Sequence, residues 1–411
     1  MLRALRHHEY RRWCAAGFVS TVGSWMQVTA QAWLMLKLTG SGAQLGALVA
    51  LTAVPGLVLG PWGGVIADRL PRQKVLIVTQ SLFVVLAAGT GAAVYSGNLH
   101  PWMLYASGLL CGLVAIADGP SNGALAASLL PRDDLANGIA LGAAASSLAR
   151  VLGMAAAGVV VATAGAGAAF CANAVSFLPV ILVLTTFWAR PVPALAEHGD
   201  SPWASLRRGV EHVSSNRQLR ATLVLAFVLG ALGRSYQVTM ALMAARVFHS
   251  GAAGYGAMST AFAVGAFAGA VVGARIPRVS GRVVVVAGAV GAVGELAAGS
   301  APGLIAFLVI VVFVAAAAVV LDTAVQATVA LSAPEELRGR VMAVAGVASA
   351  GSGAVGGPTL GALGQVLGAR GALWSGGAVC LSSCRVARGP VTGDRGADRR
   401  PFGDFVLEVA V

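Results

Sequence analysis

The chain has 411 residues, of which 57% are hydrophobic and 11% charged, and its formal charge is +12. A water-soluble domain carries about 25% charged residues, so this much apolar surface excludes a soluble fold. The basic residues are scattered singly between apolar runs, which excludes a nucleic-acid-binding face.

A bilayer-crossing helix needs about 20 mostly apolar residues. The first such run follows the basic start Arg3, Arg6, Arg11 and Arg12 and is too long for a cleaved leader, so it reads as an uncleaved first helix. Charge and Pro/Gly breaks place six helices near 13–36, 43–66, 75–96, 101–126, 136–162 and 166–188. Six more follow near 220–245, 252–274, 282–300, 303–330, 340–366 and, as a short or degenerate twelfth, 371–384. Small residues let helix backbones approach in a membrane, so glycine-rich stretches such as Gly265 to Gly273 read as packing faces. The five cysteines, Cys14, Cys111, Cys171, Cys380 and Cys384, lie in or beside apolar runs without paired CxxC spacing. They read as small apolar residues, and no metal or cofactor is expected.

With the amino terminus in the cytoplasm, nearly every basic loop residue falls inside, and only Lys37, Arg246 and Arg370 fall outside. That bias predicts a multi-pass protein of a bacterial inner membrane. Residues 1–190 form the first six-helix bundle, 191–219 a cytoplasmic linker, 220–384 the second bundle, and 385–411 a polar, disordered tail. The bundles repeat: Gln27-Val28-Thr29 returns as Gln237-Val238-Thr239, Asp118 as Asp322, and Pro131-Arg132-Asp133-Asp134-Leu135 as Pro334-Glu335-Glu336-Leu337. Both copies start on the same side, so the duplication is parallel.

In the first helix Ser20, Ser24, Gln27 and Gln31 form one polar stripe, which either lines a cavity or joins helices through amide hydrogen bonds. After the second helix comes Gly63-Gly64-Val65-Ile66-Ala67-Asp68-Arg69-Leu70-Pro71-Arg72-Gln73-Lys74. Gly64 permits close helix contact there, and Asp68 can accept from Arg72 or from a helix N-terminus. With the twelve spans and the mid-chain linker, Gly64, Asp68, Arg69, Arg72 and Lys74 resemble the signature loop of the major facilitator superfamily. The run Leu130 to Asn137 and the linker Trp203 to Arg220 are similar to bacterial exporters of the enterobactin and macrolide efflux type, over about residues 1–375.

The resemblance implies an all-α major facilitator fold of two six-helix bundles in a parallel pseudo-two-fold repeat, working as a monomer. It also implies export of a small organic molecule, such as a drug, siderophore or secondary metabolite, by alternating access against a flow of protons. The motif residues and Asp118 become a cytoplasmic gate. One departure is that Gly153-Met154-Ala155-Ala156-Ala157-Gly158 lacks the proline of the fifth-helix motif of proton-coupled exporters, although Gly357-Pro358-Thr359-Leu360-Gly361 keeps one in the eleventh. A proton-coupled importer stays open as an alternative.

An ionisable residue inside a span costs at least about 2.5–3.5 kcal/mol and is therefore a functional candidate. Asp118 lies near the cytoplasmic end of its helix and is expected to join Arg72. Asp322 either carries protons or pairs with a basic neighbour. Arg150 and Arg234 sit too deep to reach water and bind an anionic group of the substrate or a carboxylate; Gln237 shares a face with Arg234. Gln27, Gln31, Arg150, Arg234, Gln237 and Asp322 thus form the expected cavity or coupling set. Glu295, near the outer end of the ninth helix, is expected to be solvated, as is the terminal doublet His7-His8.

No HExxH motif argues for an enzyme, and the GxGxxG match at Gly351 to Gly356 falls inside a span. From Arg385 the chain turns polar where the repeat calls for more apolar residues. A shifted reading frame near residues 375–385, and with it a non-functional relic, is the corresponding hypothesis; coding DNA with no alternative frame that restores an apolar span excludes it.

Overall fold

Glycine and proline punctuate a chain that is otherwise helix. A computed structural model describes residues 3–186, 202–233, 235–276, 281–334 and 337–392. After a 3-10 turn at Arg3–Arg6, α1 runs His8–Thr39 and ends at Gly40, whose left-handed backbone (φ 61) turns its N–H back to the Leu36 carbonyl. Next come α2 (Gly42–Arg69), α3 (Arg72–Tyr95) and α4 (Pro101–Ser128), the last opened by a proline at its first position. α5 (Arg132–Ser176) contains a break at Gly165, whose φ of 81 no other residue adopts without strain, and the chain continues into α6 (Leu178–Thr186). The fifth and sixth predicted helices meet at that glycine.

The amphipathic α7 (Pro202–Ser215) lies within the predicted linker and carries an exposed Arg207–Glu211 pair at 3.0 Å. The predicted seventh helix is not continuous. It comprises α8 (Arg217–Gly233), ended by a poor helix former, then α9 (Tyr236–Leu242) and a π turn at Met243–Val247. Then follow α10 (Gly251–Gly273), α11 (Gly281–Gly299), α12 (Leu304–Ser332), α13 (Arg338–Val366) and α14 (Gly368–Thr392).

Among the described residues, nine helical stretches are long and apolar enough to cross a membrane. α5 and α6 count as one stretch, while α1 (32 residues) and α14 (25 residues) have the length but not the apolarity, which accounts for the twelve predicted spans. α14 corrects the expectation of a helix ending at 384. Its polar half continues as helix because one face is held by packing: Cys380, Cys384 and Val391 are each at most 1% exposed and belong to an apolar core with Leu219, Leu229 and Val284. The tail beyond Thr392, the linker residues 187–201, Arg278 and the Glu335-Glu336 pair of the repeat lie outside the described residues.

Two units emerge. The first comprises Met1–Gly40, Leu51–Gly199 and Ser250–Thr260; the second comprises Ser41–Ala50, Asp200–His249 and Ala261–Val411. In the first, Tyr10, Trp13, Leu76 and Leu184 form one core cluster. Gly63 of α2 packs against the Ile116 carbonyl of α4, the carbonyl that Pro120 leaves without its helical N–H, so any side chain there meets backbone. In the second, Gly265 and Gly269 bring α10 onto the carbonyls of Val312 and Ala316, as their sequence stretch predicts.

Candidate functional site

The first unit gathers most of the predicted polar residues, and several of them have partners within it. Gln27 is 7% exposed, and its amide oxygen accepts from Asn173 Nδ2 at 2.7 Å; Ser176 Oγ in turn donates to Asn173 Oδ1 at 3.0 Å. Gly23, one turn earlier on α1, makes room for Asn173 and Ser176. Gln31 donates to the Leu104 carbonyl at 3.2 Å, and Ser24 to the Ser20 carbonyl at 2.9 Å. Gln27 and Gln31 thus join α1 to other helices through hydrogen bonds, while Ser24 bonds within α1.

Asp118 does not join Arg72. Its Oδ1 accepts from Thr79 Oγ1 at 2.6 Å and Gln80 Nε2 at 2.8 Å, both on α3. Arg72 opens that helix about two turns earlier and directs Nη1 to the Ala124 carbonyl at 3.4 Å, while Lys74 is exposed. Gly64, Asp68 and Arg69 fall in the last turns of α2, where the backbone alone is described. Arg150 on α5 is half-buried, with its guanidinium 5.3 Å from the Trp25 ring centroid, a cation–π contact.

Of the terminal doublet, His8 is exposed as expected, whereas His7 is half-buried with a partner. His7 Nε2 lies 2.8 Å from Asp134 Oδ2, the Ala4 N–H donates to Asn137 Oδ1 at 3.0 Å, and Tyr10 Oη donates to the Gly138 carbonyl at 2.7 Å. The Leu130 to Asn137 run thus docks the amino-terminal turn. Burial, with a smaller contribution from Cys14, pushes the Tyr10 phenol up from its ordinary value.

The second unit is different. Arg234 lies outside the described residues, Gln237 is half-buried on α9, and Asp322 is half-buried on α12 with partners of its own. Glu295, expected in solvent, is 2% exposed. Tyr236 hydrogen-bonds its carboxyl, and its Oε2 has no partner among the described residues. Its position near a helix end suggested solvent. The sequence signal for burial was the face it shares with Gly288, Gly291, Ala292 and Ala298, a row of small residues that marks a packed side.

No group of three or more metal-ligating side chains occurs among the described residues. What the arrangement offers is hydrogen bonding, one cation over an aromatic ring and a buried carboxyl, the means of binding and proton handling.

A family model described as transmembrane secretion effector matches residues 1–390. The staphyloferrin A transporter of Staphylococcus aureus (strain NCTC 8325 / PS 47) is 24% identical over 256 residues, 61% of this chain. The chain spans 63% of that relative's length. Among solved structures, the nucleoside transporter NupG is similar with a TM-score of 0.75 at 12% identity, covering 93% of this chain and 99% of that one. A bacterial homologue of the iron transporter ferroportin gives 0.70 at 16% identity, covering 95% and 99%. These structural likenesses carry the fold, and the family match carries the membership: the chain belongs to the transmembrane secretion effector family of major facilitator transporters.

Proposed function

We propose that the protein exports a small organic molecule by alternating access, driven by protons moving inward across a bacterial inner membrane. The observation that carries this reading is the family match over residues 1–390. The relative named as a staphyloferrin A transporter favours a siderophore or a similarly polar metabolite as cargo, with drugs as the next class to test. In this reading the chain acts as a monomer with its N-terminus in the cytoplasm, and its halves are residues 1–190 and 220–384.

Asp68, Arg69, Arg72 and Lys74, with Gly64 beside them, are proposed as the cytoplasmic gate, supported by the reach of Arg72 to α4. Arg150, Arg234, Gln237 and Asp322 are proposed to meet the solute or the proton. An intact transporter rather than a relic is supported by α14, which packs Cys380 and Cys384 into the core of its unit.

The test is accumulation of labelled staphyloferrin A and of fluorescent drugs in cells lacking their own exporters. The expected outcome is lower accumulation with the wild type, reversed by a protonophore and by Asp68→Asn. Raised accumulation identifies an importer. Unchanged accumulation, with the protein present in the membrane, overturns the reading for those compounds.

A further inference from the structure

We propose that Glu295, held by Tyr236 in a cradle of small residues, is a proton-binding site inside the second unit. Its role in transport rests on the proton-driven reading above; proton binding itself does not.

Three glycines on two helices keep side chains away from this carboxyl. A Cβ added at Gly233, the last residue of α8, lies 3.4 Å from Oε1. On α14, a Cβ at Gly376 lies 3.6 Å from Oε2, and one at Gly377 lies 3.2 Å from the glutamate Cβ. These glycines form the pocket that admits Glu295. Beside it is a cavity of about 20 Å³ lined by Leu229, Gly233, Tyr236, Gly291 and Cys380 among others, room for one water.

Tyr236 from α9 and Cys380 from α14 are the titratable groups that line this cavity with Glu295. α8 contributes Leu229 and Gly233, and α12 contributes Ala318 and Leu321, all without charge. Leu360 of α13 borders a second small void on the same carboxyl. Arg370, at the start of α14, gives Nη1 to the Gly299 carbonyl at 3.0 Å and Nη2 to the Ala301 carbonyl at 2.8 Å, so it does not pair with Glu295. Among the described residues no cation does.

Arg234, next to Gly233, lies outside the described residues; what those residues show is a carboxyl oxygen buried without a partner beside a water-sized cavity, the geometry of a group that can bind a proton. Oε2, buried and unpartnered among the described residues, is the atom that accepts a proton delivered through the cavity by a hydronium ion, which leaves as water, and that returns the proton to water as hydronium when the cradle opens. The O–H bond is the one that forms and breaks, and the negative charge disappears and reappears with it. Tyr236 is a positioning residue. Its hydroxyl hydrogen-bonds more strongly to a carboxylate than to a neutral acid, so proton arrival loosens the link between α11 and α9, the segment after the break in the seventh span.

The experiment is infrared difference spectroscopy of the full-length protein in lipid through a pH titration, read at the carbonyl stretch of protonated carboxylic acids. A band that titrates in the wild type, vanishes in Glu295→Gln, moves in Glu295→Asp and persists in Asp118→Asn is the expected result. Tyr236→Phe shifts the midpoint of that band without removing it. An identical titration in wild type and Glu295→Gln overturns the proposal, as does a Glu295→Asp protein that folds without a titrating band of its own. Since no solute is needed, this outcome is independent of whether export itself is upheld.

Discussion

Asp118 of the first unit and Glu295 of the second are both acidic residues within helices, yet their surroundings are opposite. Asp118 accepts from Thr79 and Gln80 across α3. Glu295 has Tyr236, three glycines and a water-sized cavity, and its Oε2 is unpartnered among the described residues. Neither meets a cation among those residues. Hydrogen-bonding capacity separates a carboxylate that fastens two helices from one that can trade its proton, and depth along the helix does not.

That contrast can be broken in graded ways. Glu295→Gln should lower pH-gradient-driven transport by about tenfold or more, equivalent to about 1.4 kcal/mol. Thermal stability should hold, since the amide has the shape of the neutral acid; an unchanged driven rate in proteoliposomes sinks the assignment. Asp118→Leu should act on stability instead, stranding the Gln80 amide at about 1–3 kcal/mol, while the Thr79 hydroxyl keeps the Leu76 carbonyl as acceptor. Asp118→Asn keeps an acceptor oxygen and should lose far less, read as a melting shift in detergent. If the asparagine variant melts as early as the leucine variant, the charge of Asp118 matters and the contrast fails.

Asn173→Ala strands the Gln27 amide and should cost about 1–3 kcal/mol for that one group, with driven transport preserved at temperatures where the protein stays folded. Loss of transport without loss of stability would return Gln27 to a solute-handling role. The smallest change is expected for Arg150→Met, about 0.5–1 kcal/mol from the contact with Trp25. A transport defect exceeding that stability effect assigns the guanidinium to the solute.

Much of this was legible in the sequence because the bilayer imposes a simple rule. A helix must be long and apolar, and its ends show as charge and as Pro/Gly breaks. The predicted boundary at 162–166 brackets Gly165, where the chain does turn. Apolarity fails as a guide where packing inside the protein replaces lipid. α14 continues to Thr392 through Arg385 and Arg388 because its buried face, not its composition, holds it. The break between Gly233 and Tyr236 was hidden by apolar residues on both sides.

Partner identity was the least legible feature. Gln27 and Asn173 are 146 positions apart, and nothing local in the sequence pairs them. Asp118 was paired with the charged residue of the recognised motif, whereas two uncharged side chains hold it. Glu295 was judged by its distance from the helix end when the small residues beside it carried the information.

One measurement separates the two carboxylates most directly. Proteoliposomes holding wild type, Glu295→Gln or Asp118→Asn are loaded with radiolabelled staphyloferrin A, and exchange without a gradient is compared with movement under an imposed pH gradient. Glu295→Gln should exchange solute yet ignore the gradient, while Asp118→Asn responds to it as the wild type does. A Glu295→Gln protein that responds fully, or an Asp118→Asn protein that exchanges solute and has lost the response, contradicts the assignment of the proton to the second unit.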